Sequence, residues 1–186
     1  MLASAICAHA QCHNQGQCGG HHECCSEGQS LEGKSCVTTI HSKIAGSQMR
    51  MIVEFTSDDS CKVVFINEDM RTEYGTRAAI LSFLHAPAKY TVTDKHLTLD
   101  YATDKATLEL QSAILGDPAP NVKERIENAL NREINAAHSH LLKDYIAFLP
   151  EVTSMTINYI ENKDVNLSLD NLPERFPNMD GSRIRP

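Results

Sequence analysis

Apolar and polar residues alternate most regularly between Ala88 and Leu115. Tyr90 and Val92 alternate with Lys89, Thr91 and Thr93. Leu97, Leu99 and Tyr101 alternate with His96, Thr98 and Asp100, and Leu108 and Leu110 alternate with Thr107, Glu109 and Gln111. Polar breaks at Thr93 to His96 and at Ala102 to Lys105 separate the runs. Alternation with a period of two predicts three adjacent antiparallel strands with one dry face and one wet face. A three-strand meander leaves open edges, so further strands must complete it.

Upstream, Val37 to Ala45, Met49 to Phe55, Cys61 to Ile66 and Arg77 to His85 read as four more strands. The composition of Thr56 to Ser60 marks a turn, Asn67 to Gly75 a polar loop, and Pro87 a separation from the meander. The run Val63 to Ile66 is apolar on both faces and calls for cover on its outside. After the breaker Gly116 to Pro120 the period changes. Val122, Ile126, Leu130, Ile134, Ala137, Leu141, Tyr145 and Phe148 form one helical stripe that Pro150 ends, and Asn121 with Glu124 offers a capping signal. Such a helix is about 40 Å long, against about 23 Å for a seven-residue strand, so it must overhang the sheet, bend or break near Ala136 to Ser139. Ser154 to Ile160 and Val165 to Leu169 return to strand alternation. The pattern predicts a mainly β fold: an antiparallel meander barrel of about eight strands with one long helix inserted before the last two. The alternative is an open twisted antiparallel sheet packed on the helix, an α+β arrangement. The expected layout is a signal-peptide remnant at 1–10, an irregular arm at 11–30, a β domain at 31–170 with a helical insertion at 121–149, and a tail at 171–186.

Composition narrows the partners. The 186-residue chain carries a net charge of -7 and has no dense basic run, which argues against nucleic acid. No apolar run reaches the length of a membrane span. Six of the seven cysteines, Cys7, Cys12, Cys18, Cys24, Cys25 and Cys36, fall in the first 36 residues, and Cys61 follows alone. The apolar opening Met1 to Ala10 ends in Ala8-His9-Ala10, the small-x-small pattern of a secretory cleavage before Gln11. Cleavage there leaves Cys12, Cys18, Cys24, Cys25, Cys36 and Cys61, an even set of disulfide candidates for an extracytoplasmic protein, with 15 pairings open. The other reading is a cytosolic chain with reduced thiols.

Several segments bear a family resemblance. Leu31-Glu32-Gly33-Lys34 before a first strand, Glu54-Phe55-Thr56-Ser57-Asp58-Asp59, Lys89-Tyr90-Thr91-Val92-Thr93 and His96-Leu97-Thr98-Leu99 resemble the lipocalin-like (calycin-like) domains of secreted bacterial proteins. The resemblance runs from about Leu31 to Leu169, with the helix as an insertion, and implies a small meander barrel. The tryptophan which that family places two residues after the glycine is Ser35 here, and the chain has no tryptophan.

Candidate chemistry concentrates in the arm. His13, Cys18, His21, His22, Cys24 and Cys25 supply thiolate and imidazole ligands suited to zinc or copper, with His21 and Cys24, like His22 and Cys25, three residues apart. A mature N-terminus Gln11-Cys12-His13 would offer a Cu²⁺ chelate, weakened by cyclisation of glutamine. The competing role for these cysteines is disulfide bonding. His138 and His140 are two apart and point to different sides of a helix. The chain holds no G-x-S-x-G, P-loop or H-E-x-x-H motif, and no catalytic role or obligatory cofactor is expected. Asn166-Leu167-Ser168 matches a glycosylation sequon inside a predicted strand. The inward residues Phe55, Tyr90, Val92, Leu97, Leu99, Tyr101, Leu108 and Leu110 either line a cavity for a small apolar ligand or fill the core. Three functions remain open: an exported ligand-binding module, an extracytoplasmic metal-binding protein, and a disulfide-stapled interaction protein without a small ligand.

Overall fold

The computed structural model describes residues 30–179. The elements run β1 (Ser35–His41), β2 (Gln48–Phe55), β3 (Ser60–Glu73), β4 (Thr76–Thr93), β5 (His96–Tyr101), β6 (Thr107–Leu115), α1 (Pro120–Phe148), β7 (Ser154–Glu161) and β8 (Asp164–Leu169). The fold is mainly β: one eight-stranded sheet with one long helix. Neighbours follow the order β3-β2-β1-β8-β7-β5-β4-β6, and β3 also pairs with β4, so hydrogen bonds ring through seven strands and leave β6 outside. The sheet is mixed rather than wholly antiparallel, because β1 and β8 run parallel from Ser35 beside Asp164. The Ser35 N–H donates to the Lys163 carbonyl at that junction.

Strand β4 departs most from the expected pattern. The separate runs Arg77 to His85 and Tyr90 to Val92 are one strand of 18 residues, about 60 Å long. One edge pairs with β3 from Thr76 to Lys89. The other pairs first with β6, from Arg77↔Leu115 to His85↔Thr107, and then with β5, from Ala88↔Tyr101 to Thr93↔His96. Pro87 sits where the partner changes. Its carbonyl accepts the Ala102 N–H, so its nitrogen also faces the break between β5 and β6, where no ladder donor is needed. The predicted meander is corrected accordingly: β6 does not continue from β5 but returns to the far half of β4.

The expected loop Asn67 to Gly75 is mostly strand as well. β3 continues to Glu73 and turns at Tyr74 and Gly75, both at positive φ (51° and 76°), the conformation of a two-residue hairpin turn. The far halves of β3 and β4, with β6, therefore form a three-stranded flap beyond the ring, and α1 packs against β6 and β4. Helix residues Ile126, Leu130, Ala137, Leu141, Tyr145 and Phe148 are buried there. The helix is continuous. It begins with Pro120 at its first position after Ala119, which makes no side-chain cap, so the Asn121–Glu124 signal does not cap it. Its Phe148 meets Phe65 on the inward side of the run Val63 to Ile66, while Val64 and Ile66 on the other face are half-buried. Among the described residues no helix is long and apolar enough to cross a membrane.

Candidate functional site

The ring interior contains part of the predicted ligand set. Phe55, Tyr90, Leu97 and Leu99 are buried in it, and Tyr101 packs against them half-buried. The other three lie elsewhere. Val92, near the end of β4, is 38% exposed, and Leu108 and Leu110 stand on β6 opposite Leu84 and Ser82, outside the ring. Period two assigned all eight to one face, but it cannot show that two strands share the length of a third.

The interior side chains pack on one another. The Phe55 and Tyr90 rings meet edge to face at 4.9 Å, and Phe65 meets Phe148 the same way at 5.8 Å. Leu31, Phe55 and Tyr90 are buried in the same core, and the Tyr90 hydroxyl donates to the Ser57 carbonyl at 2.8 Å. Phe148, Leu149, Val152 and Phe176 belong to that core too, and Phe148 and Phe176 make a further edge contact at 5.8 Å. Cys36 and Cys61, counted among the disulfide candidates, are free buried thiols in this core. Burial pushes the Cys61 thiol up to about 12 and also raises Cys36.

The contact between α1 and the flap is more polar. Arg71 of β3 reaches Asp69 at 3.0 Å and also bonds Glu133 of the helix. Burial works against the Arg71 charge, and the two carboxylates outweigh it, holding its pKa above the ordinary value. The Tyr145 hydroxyl is buried without a partner in hydrogen-bond geometry. Burial raises its pKa, and the nearby Ser82 and Asn67 side chains soften the shift. His138 Nε2 lies 3.0 Å from the Leu108 carbonyl on β6, so the helix screens part of that edge strand.

A polar constellation occupies the outside of β5, β7 and β8. Asp170, just past β8, accepts the Ser154 hydroxyl at 2.5 Å and the Thr156 hydroxyl at 2.6 Å, and His96 Nδ1 stands 3.6 Å from it. Ser154 and Thr156, followed by the His96 imidazole, hold the Asp170 carboxyl below its ordinary range. The order is serine–carboxylate–histidine. The serine proton lies on a weakly basic carboxylate rather than on imidazole, and that arrangement does not activate a nucleophile. Beside it opens a cleft of about 320 Å³, walled by Pro150, Thr153, Ser154, Leu172, Pro173 and the Lys43–Glu174 ion pair. Alternation foretold the outward positions of Ser154 and Thr156, but nothing in the sequence indicated that Asp170 folds back onto them.

The proposed metal ligands His13, Cys18, His21, His22, Cys24 and Cys25, the cysteine candidates Cys12, Cys18, Cys24 and Cys25, and the cleavage site lie outside the described residues. Among the described residues no group of three or more His, Cys, Asp and Glu side chains gathers as a metal site. No family model, curated protein or solved structure matches the chain.

Proposed function

We propose that the chain is an exported, lipocalin-like binding module without enzymatic activity, whose seven-strand ring is a barrel acting as a scaffold and whose partner is taken on the outside. The observation that carries this reading is the occupied interior. Phe65, Leu97 and Met155 are fully buried, and the aromatic rings of this core touch edge to face. A small barrel is either filled or hollow, and this packing favours the filled form over a small apolar ligand. Export is supported by the small-residue pattern at Ala8 and Ala10 and by the resemblance from Leu31 onward. The Asp170 cluster leaves its serine unactivated and so supplies no serine nucleophile.

Titration with a fluorescent fatty acid tests the reading. The native chain is expected to give no saturable signal. One-to-one saturable binding, competed by an unlabelled fatty acid, would overturn it in favour of a ligand inside the barrel.

A further inference from the structure

The outer face of β7 and β8 carries a device that the rest of the ring lacks. Ile157 pairs with Leu167 and Tyr159 with Asn166, so Asn158 is the extra residue of a β-bulge. Bulges re-aim side chains and are characteristic of functional edges. Here the bulge sends two consecutive side chains outward. Asn158 is exposed, with its amide donating to Asn166 Oδ1 at 2.7 Å and to Ser168 Oγ at 3.3 Å, and Tyr159 is 56% exposed beside it. Ser154 and Thr156 continue the face along β7, and no lysine or arginine occurs in either strand.

We propose that this face binds a neutral oligosaccharide, with Tyr159 stacked under a sugar ring and Asn158, Asn166 and Ser168 exchanging hydrogen bonds with its hydroxyls. The proposal rests on the reading that the partner is taken outside the barrel. The chemistry fits a polyol in three respects. An exposed phenol ring offers an apolar plane with a polar tip. Amides and hydroxyls both donate and accept, as sugar hydroxyls do. The outward side chains of β7 between Ser154 and Tyr159 carry no formal charge, and the carboxylate bonded to this face, Asp170, is taken up by Ser154 and Thr156, which suits an uncharged polymer and not a phosphate backbone or an anionic surface. Outward side chains repeat about 7 Å along a strand and about 4.8 Å across strands, so a flat row of rings can touch several of them.

The test is affinity electrophoresis of the full chain in native gels containing xylan, mannan, mixed-linkage glucan, dextran or heparin. At least one neutral polysaccharide should retard it, equally from about 0.05 to about 0.5 M salt. Tyr159→Phe should keep the retardation. Tyr159→Ala should weaken it about tenfold with an unchanged melting midpoint, since the side chain supports no core. Three results would each overturn the proposal: unchanged mobility in every neutral gel, retardation indifferent to Tyr159→Ala, or retardation confined to heparin and lost with salt. Self-association of the free chain abolished by Tyr159→Ala would also overturn it, by making the face a contact between copies. Uptake of the fluorescent fatty acid would instead refute the filled interior while leaving Tyr159-dependent retardation untouched, so the two readings fail separately.

Discussion

Burying a thiol makes stability depend on pH. Cys61 has its pKa pushed up to about 12 in the folded chain, against an ordinary 9.0. Below about pH 9 the thiol is protonated in both states and its contribution is complete. Above that the unfolded chain loses the proton first, so stability should fall by up to about 1.4 kcal/mol per pH unit until the folded thiol also ionises. Denaturant melts of the parent and Cys61→Ala between pH 8 and 11 would check this, and the decline should be shallower in the variant. Mass-resolved alkylation should likewise label Cys36 and Cys61 only after unfolding, and rapid labelling of native chain would count against their burial. Asp170 has the opposite sign. Its pKa is depressed by Ser154, Thr156 and His96, so its contribution is present above the ordinary carboxylate range and fades as pH falls through the folded value. Asp170→Asn should cost about 1 kcal/mol at neutral pH, with the difference from the parent shrinking in acid.

At the scale of elements, α1 is part of the domain rather than a removable lid. Six of its side chains are buried in the core that includes Leu84 and Leu108, so Ile126→Ala or Leu130→Ala should each lower unfolding stability by about 2–5 kcal/mol. Chemical denaturation measures this directly, and an unchanged midpoint for both would contradict the packing. The helix was legible because its stripe keeps phase from Val122 to Phe148. The strands were legible where their inward side chains are apolar, as in Met49 to Phe55. β3 beyond Ile66 was not, because its inward residues Asn67, Asp69 and Arg71 meet a polar seam under the helix and so show no hydrophobic alternation. The candidate face was half visible. Its hydroxyl residues fell on predicted outward positions, and Ile157 and Ile160, three apart, were the one sign that a period of two breaks there. The fold-back of Asp170 had no local signal.

For the whole molecule, closure depends on the pairing of β1 with β8. A chain ending before Asp164 loses that strand and leaves edges open on β1 and β7, and open edges recruit other chains. The truncated form should lose its cooperative melt and aggregate, as read by circular dichroism and size-exclusion chromatography. The same pairing sets a timetable for synthesis. Strand β1 is the first strand among the described residues to emerge, yet its second neighbour is the last, about 130 residues later. No ring can close on a growing chain. The ring stays open until Leu169 has emerged, a delay that would suit the export proposed above.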